Sequence, residues 1–337
     1  AQSGGRSGIT EQPLVIADGR MARRRRTGIA TYINELAGAQ AAVGEPPVHV
    51  EWVGGPPGLP RRNRLTSLGN LLIDLIWSHA VLPLIALRRG ASAIHVPMNW
   101  GPWWSPVPVV VTFQDLAWER RPDDFPAGFR RWARLFGRRS ARTAREVITT
   151  SESTAADLVE LYGVPRERIT VIPIGTELPA LGDSGAREPF VLAVGEFEPR
   201  KRIPALIAGH RRYWEGAAHD PERCRLVVVG RGGSEEAQVL ASAGPGCELR
   251  GFVSDEELDD LYRRARLLVF PSAFEGFGLP VIEAMARGCP VRLARNSSLR
   301  EIGGDAAIWL DDVTAEGIGE ALSSALSDPG ALAERGR

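Results

Sequence analysis

The string FEGFGLPVIE, Phe274 to Glu283, holds the densest chemistry in the chain. Glu275 and Glu283 flank a Gly276-Phe277-Gly278 turn that leads into a helix through Leu279 and Pro280. Small turn residues let backbone N–H groups approach a ligand, and the helix dipole favours an anion there. Pro280 suits the first helical turn. Glu283 lies on that helix, within reach of a ribose diol while phosphates rest on the turn. A second string, VGEFEPRK, puts Gly195 at a strand end and Arg200 and Lys201 on the loop that follows. Two cations at a strand's carboxyl end can neutralise a leaving diphosphate without a metal. Arg offers a planar fork and Lys a compact charge. Lys201 is the only lysine among 41 basic residues, so its retention against an arginine bias hints that an ammonium is needed.

Weaker signals lie in the first half. In DGRMARRRRTGIAT, Gly28 opens a helix after a strand and loop, so its backbone could approach a phosphate or an acceptor. The run Arg23–Arg26 reads equally as a solvated face or as a contact for an anionic acceptor or lipid surface. Arginines in Phe125–Arg145 interleave with Phe129, Trp132, Leu135 and Phe136 at helical spacing. An ordinary packed helix is the favoured reading, ahead of one lying on an anionic membrane. Trp100, Trp103 and Trp104 crowd a Pro/Gly loop, where an acceptor platform and core packing stand even. His95, at a strand end, fits a structural or an acceptor role. His49, His79, His210 and His219 show no ligand spacing, so no metal is assigned.

These residues need elements to position them. Apolar runs such as Leu14–Ala17, Val107–Phe113, Phe190–Val194 and Leu267–Phe270 read as buried strands. They alternate with helical patterns such as Ile29–Val43, Ile203–Tyr213 and Asp255–Arg264. Ser151 is placed to cap a helix. Alternation in both halves argues an α/β protein of two parallel-sheet domains, which suits 337 residues. The Gly/Pro-rich stretch 176–187 reads as the linker between an acceptor-binding domain, 13–178, and a donor-binding domain, 187–337. Ligands in such sheets sit outside the carboxyl ends of the strands, where both charged strings fall.

Composition excludes other classes. Apolar residues at 44% and charged residues at 24% rule out disorder. Net charge is zero, so a nucleic-acid binder is not expected, although residues 1–180 are basic and the remainder acidic. Three scattered cysteines give no disulfide framework and fit a reducing cytoplasm. The polar start, Ala1 to Gln12, has no apolar core, so no signal peptide is expected. Leu68–Leu87 is long enough to span a bilayer, but Asn70, Asp74, His79 and Pro83 favour a buried or interfacial helix.

At EGFGLPVIEAMA, EPRK and the run ITTSESTAADLVELYGVPRERITVIPIGTE, the chain resembles family-4 retaining glycosyltransferases of the GT-B fold. The resemblance spans about residues 13–330. DGR…RTGIATYINEL and VTFQDLAW resemble a bacterial branch tied to mannosyl or rhamnosyl transfer in polysaccharide and glycolipid assembly. The resemblance implies two Rossmann-like domains facing across a cleft and a nucleotide-diphosphate sugar donor, GDP-mannose first. It implies no cofactor and no metal. It gives Arg200 and Lys201 the donor diphosphate, Glu283 the ribose hydroxyls, and Glu275 with Gly276–Leu279 the sugar and phosphate. It also implies that Gly28 approaches the diphosphate, that Gly195 and Ser272 line the donor pocket, and that the acceptor is a hydroxyl. The expected place is the cytoplasm, with peripheral membrane contact through arginine-rich surfaces as an added expectation.

Three departures from the family pattern stand out. Gln114 replaces a His that faces the donor sugar; it keeps hydrogen-bonding ability but cannot become charged. Ile174 replaces an Asn, and the chain stops at Arg337 before the family's crossing helix. Two alternatives stay open: a nucleotide-sugar-binding protein with impaired transfer, and a nucleotide-sugar 2-epimerase.

Overall fold

The computed structural model describes residues 12–22, 28–56, 58, 64–176 and 187–336. The Arg23–Arg26 run and residues 177–186 of the expected linker lie outside the described residues. Packing divides the chain into two compact units. The first comprises Ala1–Gln114, Trp132–Thr149 and Asp157–Ile172. The second comprises Pro173–Arg337 together with Asp115–Arg131 and Thr150–Ala156.

The first sheet uses β1 (Leu14–Asp18), β2 (His49–Val53), β3 (Ala93–Val96), β4 (Val109–Phe113), β5 (Glu146–Thr149) and β6 (Ile169–Val171). Their order is β2-β1-β3-β4-β5-β6, and every pair is parallel. The helices between them are α1 (Gly28–Ala42), α2 (Arg64–Ile76), α3 (Leu82–Arg88), α4 (Ala117–Arg120), α5 (Ala127–Thr143) and α6 (Glu152–Asp157). Ser151 caps α6 as its sequence suggests: its Oγ accepts from Thr154 N–H at 3.1 Å. A π turn, Trp77–Val81, joins α2 to α3. Gly69–Arg88 is the one stretch among the described residues long and apolar enough to cross a membrane. One face of it is buried at Trp77, Leu82 and Ala86, while Leu72, Ile76, Leu84 and Leu87 are exposed.

The second unit carries β7 (Glu188–Val194), α7 (Ile203–Gly216), β8 (Arg225–Val229), α8 (Glu236–Ser242), β9 (Cys247–Leu249), α9 (Asp255–Arg264), β10 (Ala265–Phe270) and α10 (Leu279–Ala286). It continues through β11 (Val291–Ala294), α11 (Leu299–Gly303), β12 (Ile308–Leu310), α12 (Ala315–Leu326) and α13 (Pro329–Arg335). The strand order is β12-β11-β10-β7-β8-β9, again all parallel. Both faces of this sheet are covered, which is why its strands read as unbroken apolar runs. Val191, Leu226, Leu267 and Val269 pack on one face with Leu206, Ile318 and Leu322. Phe190, Val227, Leu268 and Phe270 pack on the other with Tyr262, Val281 and Leu299.

The glycine run after β8 is structural. A Cβ on Gly230 would stand 1.9 Å from the carbonyl oxygen of Gly195, so only glycine lets these two strand ends approach.

Candidate active site

The order of the second sheet reverses between β7 and β10, which are neighbours. Open α/β sheets bind ligands at such a point, outside the carboxyl ends of the strands. Both charged strings leave from there. After β7 the backbone passes Gly195, at φ +151°, and makes one 3-10 turn, Pro199–Lys201, that carries both cations. After β10 it passes Ser272 and Glu275 and enters α10 at Gly278, whose φ of +113° lies in the region that favours glycine. A Cβ there would also stand 3.0 Å from Leu299 Cδ2.

Glu275 ties the two loops together. Its Oε1 accepts from Lys201 Nζ at 2.6 Å and its Oε2 from Arg200 Nη1 at 3.2 Å. The Ser272 hydroxyl donates to the same Oε1. Lys201 Nζ also stands 4.8 Å from the centre of the Phe270 ring, a cation–π contact. Burial alone would raise the Glu275 carboxyl; the Lys201 and Arg200 charges outweigh it and hold it below the usual carboxylate range. Burial depresses the Lys201 ammonium against the pull of Glu275. For Arg200, burial works downward, but the charges of Glu275, Asp115 and Glu198 outweigh it and the guanidinium is strengthened as a cation. Two cations thus converge on one carboxylate beside the N-terminus of α10, with Asp115, Glu196 and Glu198 also within electrostatic reach. Paired cations at a helix N-terminus are the kind of arrangement that can make charge-assisted hydrogen bonds to an anion.

Sequence reasoning missed the residues that brace this turn. Asn296 Nδ2 donates to Ser272 O at 2.8 Å, and Ser297 Oγ accepts from Glu275 N–H at 2.9 Å. The Ser298 hydroxyl bridges the carbonyls of Glu275, at 2.9 Å, and Phe277, at 2.8 Å. Ser297 holds φ +36°, a conformation that costs a non-glycine residue about 1–3 kcal/mol and survives only when its surroundings fix it. An Asn-Ser-Ser run carries no periodicity, so only its polar composition after β11 marks it. Tyr262 was missed too; its hydroxyl donates to Glu283 Oε2 at 2.8 Å.

The second unit thus brings together Arg200, Lys201, Ser272 and Glu275, with Gly195, Gly276, Phe277, Gly278, Leu279 and Glu283 on the same strand ends and helix. Gly28, His95, Gln114 and the three tryptophans belong to the first unit. Gly28 opens α1, and a Cβ on it would meet nothing within 4 Å among the described residues, so packing does not demand glycine there. His95 Nε2 lies 2.9 Å from Thr112 Oγ1, and burial pushes the imidazole down to about 4, so it is neutral at pH 7. The Gln114 backbone N–H donates to Asn99 Oδ1 at 2.7 Å.

Trp100 packs edge-on against Trp132, with centroids 4.6 Å apart. Trp103 packs against Phe136 at 4.7 Å and His79 at 5.3 Å. Trp104 is 74% exposed. A cavity of about 780 Å³ beside Trp103 and Trp104 is also lined by Val109 and Glu146, which begin β4 and β5. It therefore lies at the strands' amino ends. Asp18, fully buried at the end of β1, pairs with Arg20 Nε at 3.2 Å, and Arg20 reaches Asp74 at 3.4 Å.

Both the sequence and the fold have known relatives. Residues 181–337 match the model for glycosyl transferases group 1, and residues 26–178 match that for glycosyltransferase family 4. An O-antigen chain mannosyltransferase B of Escherichia coli is 28% identical over 240 residues, 65% of this chain and 61% of that protein. A D-inositol 3-phosphate glycosyltransferase of Nocardia farcinica is 37% identical over 175 residues, 46% of this chain and 38% of that protein. The aligned stretches therefore span less than two thirds of these relatives. Sucrose-phosphate synthase from Thermosynechococcus elongatus shares the fold, with a TM-score of 0.72 at 21% identity, covering 97% of this chain and 93% of that one. The two matched regions account for nearly the whole sequence in chain order, and the two six-stranded parallel sheets are of the GT-B type. The chain belongs to the family-4 glycosyltransferases of the GT-B fold.

Proposed function

We propose that this chain transfers a hexose from a nucleotide-diphosphate sugar to an acceptor hydroxyl, with retention at the anomeric carbon and without a metal. The carrying observation is the Lys201–Glu275–Arg200 cluster at the point where the second sheet reverses. In this reading the donor nucleotide lies on the second unit. As the bond from anomeric carbon to phosphate oxygen breaks, negative charge grows on the leaving diphosphate. Arg200 and Lys201 face that charge, and the turn Gly276–Leu279 and the N-terminus of α10 add a positive dipole. The sugar carbon becomes oxocarbenium-like, the acceptor oxygen bonds to it, and the acceptor's proton passes to the leaving phosphate oxygen. Glu275 keeps both cations oriented and faces the sugar hydroxyls, while Glu283 takes the ribose diol.

GDP-mannose is the first donor to try, because the Escherichia coli relative is named a mannosyltransferase of the O-antigen chain. In the same reading the first unit binds the acceptor. A cytoplasmic location belongs to the same reading and rests on free thiols at Cys224, Cys247 and Cys289. The test is a transfer assay with and without EDTA. Lys201→Ala and Glu283→Ala should each lower transfer at least about tenfold, a loss of roughly 1.4 kcal/mol of transition-state stabilisation. EDTA should change nothing. Wild-type rates in both variants would overturn the site.

A further inference from the structure

Glu283 does not stand alone on α10. Beneath it lies Tyr262 of α9, only 1% exposed, whose hydroxyl donates to Glu283 Oε2 at 2.8 Å. Burial, and then the Glu283 charge, push this phenol well above its ordinary value, so it stays a donor throughout the working pH range. Its own position is fixed at both ends. Arg187 Nη1 donates to the Tyr262 carbonyl at 3.1 Å, and the Arg287 guanidinium lies 6.0 Å from the ring centre. Arg287 in turn donates to Asp259 Oδ1 at 2.6 Å and to the Glu283 carbonyl at 3.1 Å. Backbone and carboxylate of Glu283 are therefore both tied into the α9–α10 contact.

A glutamate on a helix surface spreads over many rotamers and loses that freedom when it binds a ligand. A charge-assisted bond from a buried donor removes the freedom beforehand and sets the plane of the carboxylate. We infer that Tyr262 is a positioning residue for the nucleotide: it holds Glu283 in the orientation that meets the paired hydroxyls of a ribose. The inference rests on the ribose role proposed for Glu283.

Tyr262→Phe keeps the ring and deletes only the donor. Calorimetry would compare GDP with its 2′,3′-dideoxy analogue, or UDP or ADP with its own analogue if GDP does not bind. The wild type should favour the ribonucleotide. Tyr262→Phe should lose about tenfold toward the ribonucleotide and nothing toward the dideoxy form. Glu283→Ala should abolish the preference, and the double variant should bind no more weakly than Glu283→Ala. Equal losses toward both nucleotides, or no loss, would overturn the role of Tyr262 while leaving Glu283 in place. A preference that survives Glu283→Ala would overturn the ribose reading itself, and absence of binding by GDP, UDP and ADP would overturn both.

Discussion

The second unit gathers charge, and the first gathers rings. Lys201 and Arg200 each reach Glu275 within 3.2 Å and all three are largely buried, so both cations depend on that carboxylate. Trp100, Trp103, Trp132, Phe136 and His79 meet at 4.6–5.3 Å through apolar faces on the first unit. Charge clusters fail when one member is deleted, because the remainder is stranded away from water. Ring clusters fail by volume, in proportion to the cavity left. The two regions should therefore respond to substitution in different ways.

The largest effect is expected at Glu275. Glu275→Gln leaves the buried Lys201 ammonium without its hydrogen-bonded carboxylate and should cost about 3–5 kcal/mol in urea unfolding. A loss below 1 kcal/mol would mean that water already screens the cluster. Trp103→Ala should cost about 3 kcal/mol and leave nucleotide affinity unchanged in calorimetry. Coupled loss of both would break the contrast between the regions.

His95 supplies a pH signature for the first unit. Its folded value of about 4 lies below the ordinary 6.5, so the unfolded chain takes up the proton first. Stability should be complete above pH 6.5 and drain away as pH falls toward 4, by on the order of 3 kcal/mol in all. His95→Asn should flatten that part of the curve. Lys201 supplies the matching signature for the second unit. With its ammonium depressed by burial, the alkaline limb of kcat/KM should fall below the ordinary lysine value. Lys201→Arg should move that limb upward even if the rate drops. The smallest effect is expected at Trp104, 74% exposed, where alanine should change stability by no more than about 0.5 kcal/mol.

The same contrast explains what was legible in the sequence. Arg200, Lys201 and the Gly276–Leu279 turn are read directly because a strand end, a small-residue turn and a helix start must be contiguous. The strands of the second sheet are legible because burial on both faces demands unbroken apolar runs. Tyr262 is twenty-one residues from Glu283. Nothing in sequence spacing joins them, since the contact arises when α9 and α10 pack side by side. Asn296–Ser298 escapes for the same reason. The end of the chain from α11 to α13 was also unread, although Thr314 and Asp328 are capping residues. Thr314 Oγ1 accepts from Gly317 N–H at 3.2 Å, and Asp328 Oδ1 accepts from Ala331 N–H at 3.0 Å. On the first unit, tryptophans in a Pro/Gly loop read equally as platform or packing, and the structure packs Trp100 and Trp103 while leaving Trp104 in solvent.

The most direct test of the central claim is a thermal-shift series with GDP, UDP, dTDP and ADP, each with magnesium and with EDTA. A ligand at about 100 times its dissociation constant stabilises the folded chain by about 2.7 kcal/mol. The account predicts that one nucleotide raises the melting temperature equally in both conditions and that Lys201→Ala abolishes the rise. No rise with any of the four, or a rise that Lys201→Ala leaves intact, would contradict it.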